Sequence, residues 1–341
     1  MVAGPSLPRR TSGARRWITG LAAGTVSLLF AAALAEIGFR LAAPEPWYLR
    51  LEEEQDEFVP QQSVGGQQFG TRTVVMPAAK QPGTYRILFL GDSFTYGSGV
   101  ADEERVFPSL VVARLNELAT GPTRTKYELF NGGIPGGLTD RWVRLSQALA
   151  KPFQPDMVVA VFFLRDGTKG VGGSGDLIRG IGEQMAALAQ ASWLFRKSST
   201  YRFFRERSAQ RELSREYLRG MAEAYLGAPE QTAEWQRAQA NLLAIRDEIE
   251  HRGGEFALVV FPVLFELGAD YPLALVCQEI VRFAEVHAIR VHDLLPTFLG
   301  REASSLWVSP LNQHPNESAH ALVADALTEF LLPIVTPPDT R

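Results

Sequence analysis

A serine hydroxyl becomes a nucleophile when a base can take its proton and hydrogen-bond donors wait where negative charge develops. The stretch RILFLGDSFTYGSG, Arg86 to Gly99, is an apolar run that stops at a Gly-Asp-Ser turn and opens into a helical segment. A strand ending in such a turn presents its serine at the carboxyl edge of a sheet, where open α/β folds place their ligands. Ser93 is therefore the first candidate nucleophile. Five histidines are available as a base: His251, His287, His292, His314 and His320. Behind a second apolar run, Asn131-Gly132-Gly133-Ile134-Pro135-Gly136-Gly137 offers either backbone amides that can approach an oxyanion or an ordinary glycine-rich turn.

Gly91-Asp92-Ser93-Phe94-Thr95-Tyr96-Gly97 resembles the nucleophile block of the GDSL/SGNH hydrolase family. The resemblance continues through GVADEERVFPSLVVARLN, Gly99 to Asn116, and later blocks follow in the expected order over about residues 85–333. It implies an ester hydrolase or O-acyl (acetyl) transferase that works through an acyl-enzyme on Ser93, on small acyl esters of glycans or lipids. It also implies His314, in Leu311-Asn312-Gln313-His314-Pro315-Asn316, as general base, and the amides of Ser93 and Gly136 as oxyanion donors. No cofactor and no metal are implied.

Two positions depart from the family pattern. Where its third block carries an asparagine that donates to the oxyanion, Phe162-Phe163-Leu164-Arg165-Asp166-Gly167 has Arg165. Arginine donates too, but it is longer, so Arg165 either joins the oxyanion hole after movement or turns to solvent or a substrate anion. The triad acid is replaced by Asn312, an amide that can orient an imidazole but cannot offset its charge; in a serine triad that change costs a factor of ~10⁴ in kcat. A backbone carbonyl or Asp166 is the alternative third member. Together these departures motivate a reading of another class, a catalytically degenerate module that binds a glycan or a protein partner in envelope polysaccharide assembly.

The remaining candidates carry less. His320 falls inside the last helix, as a structural residue, and His251, His287 and His292 have no motif around them. The six-residue spacing of His314 and His320 is not that of a helical metal pair. Gly170 to Gly175 formally matches G-x-G-x-x-G, yet no second strand with a terminal acid follows, so a flexible loop is expected there.

The elements that must position these groups are legible as short, continuous apolar runs: residues 85–90, 127–130, 157–164, 256–261 and 289–293. Such runs suit strands covered on both faces by helices. The expectation is a flavodoxin-like three-layer α/β/α fold with a five-stranded parallel sheet, an N-terminal transmembrane helix and a helical insertion. By residue, that gives a basic cytoplasmic tail (1–16), a signal anchor (17–43), an irregular lead-in (44–84), the catalytic domain (85–333) with an insertion over about 177–252, and a tail (334–341). The insertion is expected to lie over the active-site edge as a lid. Its Trp193, Phe195, Tyr201, Phe203 and Phe204, among Arg196, Lys197, Arg202, Arg205 and Arg207, suit either anionic lipid headgroups or glycan, or a packed helix face with solvated charges.

Arg9, Arg10, Arg15 and Arg16 precede an uncharged run from Trp17 to Ala35, which orients residues 1–16 to the cytoplasm and the rest outside. The run is longer than a usual signal-peptide core, which favours a retained anchor, although Ala33-Leu34-Ala35 offers a cleavage pattern that would release a secreted form. In the whole chain of 341 residues a net charge of −4 gives no basic footprint for nucleic acid. The single cysteine, Cys277, sits in an apolar stretch and excludes an internal disulfide framework.

Overall fold

The computed structural model describes residues 12–42, 62–64, 67–76, 78–119, 125–168, 174–309 and 312–335. The chain divides into two compact units, one made of residues 54–178 and 214–341, the other of residues 1–53 and 179–213. The helices used below are α1 (Ser12–Ala42), α2 (Phe107–Leu118), α3 (Thr139–Leu149), α4 (Ser174–Ala191), α5 (Trp193–Lys197), α6 (Ser199–Leu226), α7 (Ala233–His251), α8 (Ala274–Val286) and α9 (Glu317–Val335).

The larger unit is built on five parallel strands, β1 (Thr84–Gly91), β2 (Lys126–Gly133), β3 (Met157–Phe163), β4 (Glu255–Phe261) and β5 (Arg290–Asp293), in the order β2-β1-β3-β4-β5. This is the flavodoxin-like order, and each expected strand is present. β2 runs past the expected Phe130 because Asn131, Gly132 and Gly133 keep pairing with Phe89, Leu90 and Gly91. β3 is buried along its whole length, as its unbroken apolar run requires. Helices α2 and α9 pack against each other. α3 and α7 form a second packed pair, continued to α8 by the ring of Trp235 against Phe283 at 5.3 Å.

α7, which falls inside the expected insertion, is instead the crossover helix between β3 and β4, buried through Trp235, Ala238, Leu242, Ile245 and Ile249. Its period of apolar residues is that of a core helix, so the added helices are α4, α5 and α6. The second half of α6 belongs to the larger unit, where Met221 and Tyr225 are buried. The expected lead-in lies outside the described residues up to 61. Beyond that it is part of the domain: a hairpin of Gln62–Val64 and Gln67–Phe69 brings Phe69 into the core, and Thr73 bonds to both the amide and the carbonyl of Asn131 in β2.

In the smaller unit, α1 contains a 22-residue span, Gly20–Leu41, of mean hydropathy 1.8 with no part of it buried. The apolar α9 has the length of a span as well, but it is a partly buried helix against α2 and the core.

Candidate active site

β1 delivers the turn that carries Ser93. Gly91 is its last residue, and a side chain there would overlap Thr95 Oγ1 and approach the Val161 carbonyl, so only glycine lets the chain fold back this tightly. Asp92, 1% exposed, caps the one-turn helix Ser93–Tyr96 by accepting the Phe94 N–H at 2.9 Å, and Gly97 ends it in the left-handed conformation with φ of 82°. β2 braces the same turn from the side. The buried Asn131 donates from Nδ2 to the Thr95 carbonyl at 3.0 Å and accepts the Gly133 N–H on Oδ1 at 3.0 Å.

His314 arrives on the loop before α9. Trp307 and Pro315 form a bridge, and the Val308 N–H donates to the His314 carbonyl at 3.0 Å. Asn316 accepts the Ala319 N–H to start α9 while its Nδ2 donates to the carbonyls of Ser305 and Trp307, so one side chain ties the helix to the loop. His314 Nε2 then lies 2.9 Å from Ser93 Oγ. Its Nδ1 lies 2.6 Å from Asn312 Oδ1, the oxygen that also accepts the His314 backbone N–H at 3.2 Å. That second bond fixes which end of the amide faces the ring. Nδ1 therefore donates to Asn312, and the lone pair on Nε2 faces the serine hydroxyl, the tautomer a general base needs.

Asn312, and not Asp166, occupies the third position. Asp166 is buried, with Oδ2 accepting the Phe163 N–H at 3.0 Å and Oδ1 3.6 Å from Arg165. Arg165 does not turn to solvent: its Nη2 lies 3.3 Å from Asp92 Oδ2. The guanidinium thus sits between two buried carboxylates, one of which caps the nucleophile helix. Burial and the neighbouring Asp92 charge push the Asp166 carboxyl well above the usual range. Burial pulls His314 down to about 4, helped by the positive charge of Arg165. The turn that carries Arg165 is held by Tyr225 from α6, whose hydroxyl donates to the Leu164 carbonyl and whose ring leaves no room for a side chain at Gly167.

Gly136 lies on the connection from β2 to α3, exposed, with φ of 67°, three residues beyond the strand end that pairs with Gly91. His320 is fully buried: it accepts the Phe107 N–H on Nδ1 at 3.2 Å, capping α2 where Val106 offers no side chain for the purpose. His292 stacks on Phe330 and His287 Nδ1 meets the Phe283 carbonyl, while His251 is exposed at the end of α7. Cys277 is buried, and that burial pushes its thiol far up, away from reactivity. Residues 169–173 of the glycine-rich stretch lie outside the described residues, and Ser174 opens α4.

Sequence reasoning missed Asp92 as the partner of Arg165, Asn131 as the brace, and Tyr225. Only Asn131 carried a local signal, a polar residue at the end of an apolar strand just before two glycines.

A serine, an imidazole and an amide in one hydrogen-bonded row at the carboxyl edge of a parallel sheet make up the site. No family model matches the sequence, and no curated protein matches it. Solved structures resemble it. One, from Desulfitobacterium hafniense and described as of the lipolytic G-D-S-L family, is 14% identical over 72% of this chain and 99% of its own, with a TM-score of 0.41. A two-domain esterase active on acetylated mannans is 18% identical over 76% of this chain and 51% of its own, with a TM-score of 0.40. An acetylxylan esterase from Geobacillus stearothermophilus is 18% identical over 74% of this chain and 95% of its own, with a TM-score of 0.41.

Proposed function

We propose that this chain is a serine ester hydrolase or O-acyl transferase, held at a membrane by α1 with its catalytic domain on the extracytoplasmic side. The observation that carries the reading is the Ser93–His314–Asn312 row, with Ser93 Oγ at 2.9 Å from His314 Nε2. His314 takes the hydroxyl proton as Ser93 Oγ bonds to the ester carbonyl carbon. The carbonyl oxygen becomes an oxyanion that the amides of Ser93 and Gly136 receive, with the Arg165 charge nearby. His314 returns the proton to the leaving alcohol as the ester C–O bond breaks. Water or an acceptor hydroxyl then attacks the acyl-serine by the same route in reverse.

The resemblance to the GDSL/SGNH family implies small acyl esters, such as acetyl groups, on glycans or lipids. Arg9, Arg10, Arg15 and Arg16 on the leading side of α1 support the orientation. The experiment is to assay the full chain in detergent on p-nitrophenyl acetate beside Ser93→Ala. Turnover by the wild type and none by the variant is expected. Equal rates would sink the catalytic reading and favour the glycan- or partner-binding module that Asn312 and Arg165 suggest.

A further inference from the structure

We infer that the elbow formed by α5 and the start of α6 is a membrane-surface platform that seats on anionic lipid headgroups at the far end of α1. The inference rests on the anchor reading above and concerns the smaller unit alone. The span Gly20–Leu41 has 22 residues and is about 33 Å long at ~1.5 Å per residue, so its last turn falls at the boundary of a ~30 Å hydrocarbon core. Whatever packs on that last turn is placed at the headgroups.

The elbow packs there through specific contacts. Phe39 meets Phe203 at 4.7 Å and Phe204 at 6.1 Å between ring centroids. Glu36 accepts the backbone N–H groups of Ser199 and Thr200 at 2.8 and 3.1 Å and the Ser198 hydroxyl at 2.8 Å, so a carboxylate of α1 caps the N-terminus of α6. Arg40, paired with Glu36 at 2.8 Å, donates to the Lys197 carbonyl at 2.7 Å and closes the C-terminus of α5. A glutamate inside an apolar span is costly unless it is partnered, and apart from Arg40 its partners, Ser198, Ser199 and Thr200, come from the elbow.

The surface so placed has the chemistry of an interfacial segment. Trp193 is 66% exposed and Phe204 61% exposed, large apolar side chains that the protein leaves mostly uncovered. Residues 193–211 carry Arg196, Lys197, Arg202, Arg205, Arg207 and Arg211 against a single acid, Glu206. Aromatic side chains interleaved with arginines at the end of a span match a bilayer surface, apolar toward the acyl boundary and cationic toward anionic headgroups.

The test uses spin labels on the full chain, reconstituted into vesicles of phosphatidylcholine with or without phosphatidylglycerol. Cys277 is fully buried and stays unlabelled, so Trp193→Cys, Phe204→Cys and, within the span, Leu28→Cys can be labelled one at a time. In vesicles with phosphatidylglycerol, the labels at 193 and 204 should meet dissolved oxygen several-fold more than an aqueous nickel chelate. Adding Arg205→Glu and Arg207→Glu should reverse that ratio at 193 and leave the label at 28 in lipid. Labels at 193 and 204 that face water while 28 lies in lipid would overturn the platform and leave the anchor standing, as a glycan-binding elbow would require. A label at 28 in water would overturn both, and equal shielding in the two vesicle types would overturn the assignment to anionic headgroups.

Discussion

Asn312 Oδ1 receives two hydrogens from one residue, the backbone N–H of His314 and its ring Nδ1–H. An asparagine in the place of a triad acid normally risks presenting its NH₂ to the ring, which forces the wrong tautomer and silences the base. Here the backbone bond removes that risk. Orientation is supplied without charge, so an imidazolium that forms during turnover meets the Arg165 cation and no counter-ion on the Nδ1 side.

The first prediction follows from that separation of roles. Asn312→Asp keeps the geometry and adds the missing charge, so kcat on p-nitrophenyl acetate should rise, by at most the ~10⁴ that the opposite change costs in a serine triad. Asn312→Leu should lower it, since the ring then loses its orienting acceptor. Steady-state kinetics of the three proteins side by side is the measurement. No gain in Asn312→Asp would mean that the imidazolium is not a limiting species.

The second prediction concerns pH. With His314 near 4 the base stays neutral through the acid range, so kcat/KM should stay level from neutral pH to about 5 and fall only around 4. In Asn312→Asp that limb should move upward. Stability responds to the same shift. The unfolded histidine titrates near 6.5 and the folded one near 4, so the unfolded chain binds more protons between these values. Stability is then full above about 6.5 and is lost as pH falls toward 4, by about 3 kcal/mol for this residue at 1.36 kcal/mol per unit. His320, held down to about 3 by burial, adds a slope of the same sign. Denaturant unfolding of His314→Gln at pH 7 and 4.5 should show a shallower pH dependence than the wild type.

The central strands β1, β3 and β4 were legible because they are buried over most or all of their length, so each reads as an apolar run with no competing helical period. Ser93 and His314 were legible because tight turns demand particular residues, glycine at 91 and 97 and the Pro315-Asn316 pair before α9. What the chain did not disclose depends on residues distant in sequence. Arg165 resembles a misplaced oxyanion donor until Asp92, 73 positions away, is seen as its acceptor. α7 resembles an extension of the inserted helices because its propensities are theirs; its packing on β3 and β4 gives its apolar period a core to face. Phe69 was lost in a polar lead-in because one buried side chain makes no period.

The third prediction addresses the buried charges. Asp92→Asn can still accept the Phe94 N–H, so it isolates the loss of charge from the loss of the cap. It leaves Arg165 with Asp166 alone, and the cost should reach about 3 kcal/mol, the lower end for breaking a buried pair. Combining it with Arg165→Leu should recover part of that loss, and a double-mutant cycle by denaturant unfolding reads the coupling. Arg165→Leu by itself should also raise the pH at which kcat/KM falls, because the cation that helps hold His314 down is gone. Strictly additive free energies would show that the pair is not coupled.

The fourth prediction tests whether β2 positions the nucleophile. A Cβ on Gly133 would overlap the Tyr96 amide nitrogen and the Thr95 carbonyl carbon, backbone atoms of the helix that Ser93 opens, so no side chain can yield to it. Gly133→Ala should therefore push the turn away from His314. Displacing a catalytic group by about 1 Å can cost ~10² in rate, and overpacking of this kind costs about 1–3 kcal/mol in stability. Gly253→Ala is the matched control, since a Cβ there meets nothing within 4 Å and the residue precedes β4, at the opposite edge of the sheet from Ser93. Its strain, from a φ of 79°, should cost about 1 kcal/mol with little change in kcat. If both substitutions lower kcat alike, the loss does not come from the Ser93 turn, and the bracing role of β2 fails.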